Sequence, residues 1–475
     1  MPCAACRSGA AKQKESKKRE DRHMSKTMIK NGNLVFENRT VRADLVIENG
    51  KIAEIALDAQ PGADCTVIDA AGKMVLPGMI DTHSHVTDPG PYNYREDWKC
   101  ASKSAASGGI TTIADMPLPS IAVLNQERFQ EKLAAVRSSS VVDFALWGGV
   151  TPLNIDKLEE MNESGCIGYK GFMCFATKEY PQITDGYLVE GLKKVKEFDG
   201  LIAVHAENAE VADMGCKRFS AAGCTDEAQF DEARPWWVEY EAIQRATLFA
   251  KVTGAKLMVC HVSIPEGAEL LKELKAQGAR VYAETCPHYL LFDKTVLREK
   301  KAFAKCTPPF RARESVEKLW DYVKDGTIDV IGTDHGPFTD EEKGEKGDFW
   351  KEYCGFGCND AVMAAMVTEG IHKRGLSWNR LVSLTSGNAA RMFGIYPQKG
   401  NLLPGADADI QIIDPDREWV YDGLKSYSKT KSDKGVYQNM RFKGKVVAAL
   451  VRGRLVYDGE GIVAPEGYGE FVRRV

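Results

Sequence analysis

The sequence lacks the features of a membrane protein, a nucleic-acid-binding protein and a disulfide-stabilised secreted domain. No unbroken apolar run approaches the roughly 20 residues that a membrane helix requires. The net charge is -4, so no overall positive field attracts nucleic acid. The 13 cysteines are odd in number and scattered, which is typical of reduced thiols. We therefore expect a cytoplasmic protein with neither a membrane nor a nucleic-acid partner.

The first 26 residues differ in composition from the rest of the chain. Residues 11–22 read AKQKESKKREDR, and no apolar stretch of the kind found in secretory signals follows. We predict a flexible charged tail over 1–26, with a basic contact patch as the alternative. Cys3 and Cys6 form an isolated C-x-x-C pair, but the two further ligands of a zinc site do not follow.

Between residues 77 and 399, apolar strand-like runs alternate with helix-like segments such as 125–136 and 239–252. Most of the runs are apolar throughout, as in parallel strands that are covered on both faces. Eight βα units in series predict an α/β fold with a closed (β/α)8 TIM barrel. The alternative, a doubly wound open sheet, favours a glycine-rich phosphate turn after its first strand, and none is present there. The eight runs lie at 79–86, 110–116, 142–150, 166–173, 201–208, 255–263, 279–286 and 328–335.

Patterns typical of β-strands flank this region at both ends of the chain. One covers 27–55, where Asn31-Gly32 and Asn49-Gly50 are turn signals between strands. The others are ADADIQIID (406–414) and KVVAALVRGRLVYDG (445–459). Neither end can form a core alone. We therefore predict that 27–76 and 400–475 pair into one small β-sandwich domain beside a barrel that covers 77–399.

Histidine is scarce, with only eight in the chain, and four lie near the ends of predicted strands. The side chains of two of them, spaced two residues apart on the first strand, point to the same side. A lysine lies inside the fourth strand, and an aspartate closes the eighth. Because the carboxyl ends of barrel strands meet at one mouth, we predict that six ionisable groups converge there. They are His83, His85, Lys170, His205, His261 and Asp334.

Taken singly, each group has an ordinary structural interpretation, as a hydrogen-bonded histidine, a snorkelling lysine or a capping aspartate. Taken together they favour a metal site, because a lysine buried among imidazoles would carry an unpaired charge. Neutral imidazole suits zinc and similar ions, and two ions about 3.5–4 Å apart can share a hydroxide. A neutral Lys170 that adds CO2 becomes a carbamate able to bridge them. We predict two divalent ions, zinc first, with Mn, Co, Ni or Fe as alternatives.

Motifs at the strand ends and in the loops follow one another in an order that resembles the cyclic amidohydrolases, and among them allantoinase and L-hydantoinase. The resemblance covers about 27–475. It implies His83, His85 and Asp334 on one metal ion, and His205 and His261 on the other, with Lys170 as N6-carboxylysine between them. The matching stretches include PGMIDTHSH (77–85), GYKGF (168–172), VHAEN (204–208), VCHVSIPEG (259–267), ETCPHYL (284–290), KCTPPFR (305–311) and GTDHGP (332–337).

The activity implied by this resemblance is hydrolysis of a ring amide to an N-carbamoyl acid, with Asp334 as general base and then general acid. Dihydroorotases carry an arginine where this chain has Thr87. Dihydropyrimidinases and D-hydantoinases carry a tyrosine where this chain has Phe175. The resemblance therefore implies a five-membered cyclic ureide as small-molecule partner, either allantoin or a 5-substituted hydantoin.

The resemblance also implies substrate contacts at Phe175, His288, Thr307, Gly355 and Asn359. Two alternatives remain open for these positions. His288 could instead orient a loop, and the stretch CGFGCND (354–360), which departs from the family pattern, could be a structural turn.

Relatives of this kind are usually dimers or tetramers, so a homo-oligomer is expected. Other functions remain as alternatives: a dihydropyrimidinase-type or other cyclic amide or imide hydrolase, a non-catalytic dihydropyrimidinase-related assembly protein, and a one-metal deaminase that uses Glu207.

Overall fold

Five strands form the first described part of the chain. The structure, a computed structural model, describes residues 26–344 and 347–474. The tail predicted over 1–26 lies outside the described residues except for Lys26, and the Cys3–Cys6 pair lies outside them entirely. The strands are β1 (Lys26–Val35), β2 (Thr40–Glu48), β3 (Lys51–Ala56), β4 (Cys65–Asp69) and β5 (Met74–Pro77).

Only one of the two predicted Asn-Gly turns joins two strands. Asn49-Gly50 connects β2 to β3, and its φ angles of 53° and 77° are the positive values that such a turn requires. The prediction for Asn31-Gly32 is wrong, because these residues form a bulge within β1. Asn31 has a φ of 61°, and its N–H donates to Asp44 Oδ1 at 2.8 Å, which holds the bulge in place.

Eight parallel strand segments enclose the barrel, and each lies within one of the eight predicted runs. β8 and β9 form one segment interrupted at Trp147. β6, β7 and β8 are neighbours, and β9 to β14 follow in chain order. The barrel closes where the His85 N–H donates to His335 O at 2.7 Å, beside a bridge between Ser84 and His335. The strands are β6 (Met79–Ser84), β7 (Ile110–Asp115), β8 (Asp143–Leu146), β9 (Gly148–Gly149), β10 (Tyr169–Phe172), β11 (Leu201–His205), β12 (Lys256–Val259), β13 (Val281–Thr285) and β14 (Val330–Ile331).

Helices alternate with the barrel strands, and several begin at a side-chain cap. Asp97 accepts the Cys100 N–H at the start of α1, and Asn125 accepts the Arg128 N–H at the start of α2. Within the described residues, no helix has the length and apolar character needed to cross a membrane. The helices are α1 (Trp98–Ser107), α2 (Gln126–Arg137), α3 (Leu158–Glu163), α4 (Asp185–Glu197), α5 (Ala209–Ala221), α6 (Phe230–Ala233), α7 (Trp236–Thr253), α8 (Pro265–Ala276), α9 (Pro287–Leu291), α10 (Val296–Lys300), α11 (Arg313–Asp325), α12 (Val362–Ala365), α13 (Trp378–Val382) and α14 (Asn388–Phe393).

Short helical turns complete the described helical structure. A π-helical segment, Met366–His372, continues α12, and a second, Ser383–Gly387, joins α13 to α14. The 3-10 turns are Ile155–Lys157, Glu227–Gln229, Lys301–Ala304, Phe349–Lys351 and Gly423–Lys425.

The two ends of the chain share one eight-stranded sheet beside the barrel, which confirms a small β domain built from both ends. The last strands are β15 (Ile410–Val420), β16 (Arg441–Val451) and β17 (Arg454–Tyr457). The sheet order is β17-β16-β15-β5-β1-β2-β3, and β4 also pairs with β1. The antiparallel pairing of β15 with β5 therefore joins the two ends. The exact boundaries at 27–76, 77–399 and 400–475 stay a prediction.

A buried charge cluster joins this β domain to the amino-terminal side of the barrel. The ammonium of Lys399 lies 2.7 Å from Asp143, at the start of β8, and 2.5 Å from Asp409, next to β15. It also lies 3.1 Å from Asp407. All four side chains are buried, so each carboxylate depends on a cation that the protein itself supplies.

We expect that Lys399→Met destabilises the protein by about 3–5 kcal/mol, because it removes one partner of a buried ion cluster. The free energy of unfolding in urea is the measurement. The matched control is Lys193→Met, which breaks an exposed pair with Glu190 and should change stability by about 1 kcal/mol or less. Equal stabilities of the two variants would contradict the role of Lys399.

Candidate metal centre

The six predicted ligand residues meet at the carboxyl-terminal mouth of the barrel. His83 lies on β6, Lys170 on β10, and His205 at the end of β11. The other two histidines follow β6 and β12 within two residues, and the aspartate follows β14. All six side chains line a single cavity of about 200 Å³.

Three lone pairs point at one another on one side of this cavity. The Nδ1 of His83 lies 2.7 Å from Glu284 Oε2, and the Nδ1 of His85 lies 2.6 Å from Leu118 O. Both partners are acceptors, so each neutral ring carries its proton on Nδ1 and its lone pair on Nε2. The two Nε2 atoms are 3.2 Å apart, and they lie 3.3 Å and 3.4 Å from Asp334 Oδ1. Acceptors this close repel one another unless a cation lies between them, so a divalent metal ion fits this arrangement.

The other side of the cavity brings together two imidazoles and the lysine. The ring centroids of His205 and His261 are 4.6 Å apart, and that of His261 lies 5.4 Å from that of His83. The buried Nδ1 of His261 has no hydrogen-bond partner within the described parts of the chain. Lys170 is fully buried, and its Nζ donates to Cys260 Sγ at 2.9 Å. An ammonium buried against a thiol and the face of the Phe172 ring is poorly compensated.

The electrostatics of the site favour the metal-binding forms of His83, His261 and Asp334, whereas they favour the protonated form of His205, whose proton a bound metal ion would have to displace. Burial lowers the pKa of the His83 and His261 rings, so both rings stay neutral. Burial works against the charge on Asp334, but the surrounding histidines hold the pKa of its carboxyl well below its usual value. Burial also opposes the charge on His205, yet Cys174 and Glu207 beside it raise its pKa to about 10.

A second layer of buried polar groups holds the ligands in place, and most of it was not predicted from the sequence. Glu284 accepts from both Thr82 and His83, while Glu207 lies 2.7 Å from His205 Nε2. Arg234 donates to Glu207 at 2.6 Å. The signal for Glu284 was available, because an acid inside an apolar barrel strand must find an inward partner. Glu207 is engaged by Arg234 and a histidine, which differs from the free carboxylate that a deaminase needs.

Two of the ligand residues have left-handed backbone conformations. The φ angle is 40° at His261 and 50° at Asp334, values that residues other than glycine rarely adopt. Strain of this kind persists only where the surrounding structure fixes it, and it is concentrated at functional sites. A β-carbon at Gly332 would meet the carboxylate of Glu284 and lie 2.9 Å from Cβ of His83, so the close approach of β14 to β6 requires glycine there.

The structure brings only part of the expected substrate-binding set to the cavity. Thr307 and Gly355 line it. Phe175 is 74% exposed and does not line it. Asn359 instead accepts from Ser104 Oγ at 2.6 Å and lines a different cavity.

The remaining histidine of the set, His288, does not line the cavity, although one of its ring nitrogens lies within 4.8 Å of a carboxylate oxygen of Asp334. Both of its buried ring nitrogens lack a hydrogen-bond partner among the described residues. It packs edge-on against Phe310 and Phe356, and burial lowers its pKa to about 4. His335, next to Asp334, is also turned away from the cavity, because its Nδ1 accepts the Cys358 N–H at 3.1 Å.

Known proteins that are similar to this chain in sequence and in structure include an L-hydantoinase and an allantoinase. An L-hydantoinase from Paenarthrobacter aurescens is 35% identical over 454 residues, which cover 95% of this chain and 98% of that protein. An allantoinase from Escherichia coli is 34% identical over 450 residues, covering 93% and 97%. The solved L-hydantoinase (dihydropyrimidinase) of Arthrobacter aurescens matches with a TM-score of 0.91 at 35% identity, covering 94% of this chain and 99% of that one. The amidohydrolase family model matches residues 74–456. The chain belongs to the amidohydrolase family.

Proposed function

We propose that this protein is a metal-dependent hydrolase that opens the ring amide of a five-membered cyclic ureide, allantoin or a 5-substituted hydantoin, to give the N-carbamoyl acid. The observation that carries the proposal is the meeting of the Nε2 atoms of His83 and His85 with one oxygen of Asp334. The activities named for the similar proteins, L-hydantoinase and allantoinase, support the substrate class. Dihydropyrimidinase-type ring opening is the alternative, since the similar solved structure carries that name as well.

Two divalent ions would be held by the six residues of the site. His83, His85 and Asp334 would hold one, His205 and His261 the other, and a carbamate on Lys170 would join them. When bound, such ions supply a water activated at neutral pH and polarise the carbonyl to be attacked. Zinc is the first expectation, with Mn, Co, Ni or Fe as alternatives.

The protein's own groups bind the ring and move its protons. Asp334 is the carboxylate placed to take a proton from the attacking water and to return it to the departing ring nitrogen. Thr307 and Gly355, which line the cavity, are the groups available to the ring's carbonyl and N–H groups. The side chains of Leu118, Phe172 and Phe338 exclude water from the reacting amide. A cytoplasmic location and assembly into a dimer or tetramer belong to the same proposal.

We expect purified protein to contain about two transition-metal ions per chain by elemental analysis. Lys170→Ala should lose turnover, because the link between the two ions is removed, and added short carboxylates should restore part of it. Ring opening of hydantoin and allantoin, followed by the appearance of the N-carbamoyl acid, is the measurement. The control is Lys217→Ala at an exposed lysine paired with Asp213. Full turnover in Lys170→Ala would contradict the carbamate.

Glu284→Gln tests how the His83 lone pair is directed. A glutamine can donate to Nδ1 through its amide, which allows the ring to move its proton to Nε2 and lose the lone pair aimed at the metal. We expect metal affinity, measured by competition with a chelator, to fall roughly 10–100-fold. The matched control is Glu239→Gln, a buried glutamate of helix α7 that contacts Arg311 and Ser263 instead of a candidate ligand. Unchanged affinity in Glu284→Gln would show that Glu284 does not orient His83.

A further inference from the structure

The wall of the metal cavity is largely apolar once the ligands are set aside. The thiols of Cys306 and Cys354 lie beside that wall, and Thr307 brings a hydroxyl. Within the described chain, no lining residue outside the ligand set has a charged or amide side chain. The apolar side chains are Leu118, Pro119, Phe172, Pro337 and Phe338.

The two candidate substrates differ most at the group on the fifth ring position. In allantoin this group is a ureido group, with several N–H donors and a carbonyl. An enclosed polar group without partners loses the hydrogen bonds that it makes to water, and a site lacking those partners discriminates against it. An apolar substituent loses nothing on entering such a wall and gains from leaving water.

We propose that the cavity selects hydantoins whose 5-substituent is apolar over those with a ureido group, and that Phe338 is the specificity-determining residue. This inference rests on the proposed function, because it concerns the substrate of the same site. Phe172 is less suited to the role, since its ring stacks on His205 at 5.9 Å and so faces the metal side. Phe338 belongs to the loop after β14, away from the ligand rings, and is half-buried.

Phe338 is held in a stack that runs from the cavity to the surface. Its ring stacks on Tyr353 at 4.9 Å with an interplanar angle of 13°. The guanidinium of Arg95 lies 4.6 Å from the Phe338 centroid and 4.2 Å from that of Tyr92, which is 40% exposed. The stack therefore connects the Phe338 ring, which lines the cavity, to Tyr92 at the surface.

Arg95 is the positioning residue of this stack. It is only 5% exposed, and its guanidinium makes paired contacts to Glu342 at 2.6 Å and 2.7 Å. Glu342 in turn accepts the N–H of Thr339, the residue after Phe338, at 3.0 Å. A planar guanidinium can stack flat on a ring while its N–H fork pairs with a carboxylate, a geometry that a compact ammonium does not reproduce.

The loop opposite Phe338 is shaped to admit its ring. Gly355 has a φ of 125°, and a β-carbon there would lie 2.7 Å from Gly336 O and 3.1 Å from Cε2 of Phe338. Glycine at this position therefore gives the Phe338 ring room in the cavity wall, and it keeps the Gly355 backbone accessible to the substrate.

The first test compares kcat/KM for both hands of allantoin, 5-benzylhydantoin and 5-isobutylhydantoin with the metal-loaded protein. We expect the better hand of either apolar substrate to exceed allantoin roughly tenfold or more. If kcat/KM for allantoin equals or exceeds that for both apolar hydantoins, the inference is overturned and the proposed function stays intact. Failure to open any of the rings would overturn the proposed function, and the inference with it.

The second test assigns the selection to Phe338. In Phe338→Asn the benzyl-to-allantoin ratio of kcat/KM should fall roughly tenfold, mainly through KM for the benzyl substrate, with metal content unchanged. Phe338→Leu, the matched apolar variant, should keep the preference for isobutylhydantoin over allantoin. A ratio that Phe338→Asn leaves unchanged would overturn the role of Phe338.

The third test concerns Arg95. Arg95→Lys should raise KM for benzylhydantoin several-fold with little change in kcat and in metal content, because the stack loosens while the charge remains. Arg128→Lys, at an exposed arginine paired with Glu131, is the matched control and should change neither constant. An unchanged KM in Arg95→Lys would overturn the positioning role.

Discussion

The site depends on one constraint: the Nε2 lone pairs of His83 and His85 and an oxygen of Asp334 are forced to face one another. Neither ring can turn away, since the Nδ1 of one is held by Glu284 and that of the other by a backbone carbonyl. The three acceptors repel one another. A cation at the point where they meet would convert these three unfavourable contacts into three favourable ones, so the repulsion favours metal binding. The barrel provides the rigidity that keeps these acceptors together.

This constraint explains why the backbone is regular below the site and irregular within it. β12 and β14 end just before His261 and Asp334, so these two side chains are aimed by single left-handed residues instead of by the strands themselves. A strand can place side chains only on alternate sides, which suffices for His83 and His85 but not for ligands that must approach from other directions. The conformational strain at the mouth is compensated by the surrounding hydrogen bonds, such as that from the Asp334 N–H to His83 O at 2.8 Å.

The barrel and the convergence of the six side chains at its mouth could be predicted from the sequence, because both follow from periodicity and strand ends. The residues that hold these side chains could not be predicted. Glu284 contacts His83, and Arg234 contacts Glu207, in each case from a distant part of the sequence, and no local sequence pattern indicates such a pairing. The turn predicted at Asn31-Gly32 was wrong because the left-handed conformation that Asn31 adopts occurs in a β-bulge as well as in a turn. Phe175 and Asn359, expected at the substrate from resemblance alone, follow their loops away from the cavity.

The two buried charge networks have opposite physical consequences. At the base of the barrel, Lys399 satisfies Asp143 and Asp409 with a cation from the chain, so that network is complete and joins the two domains. At the mouth, the Nε2 atoms of His83 and His85 face an oxygen of Asp334, and the buried Lys170 donates to a thiol. Since buried charge is tolerated only when it is compensated, the arrangement at the mouth fits the bound cations proposed above. Stability and catalysis thus occupy opposite ends of the same strands, and a change at one end need not affect the other.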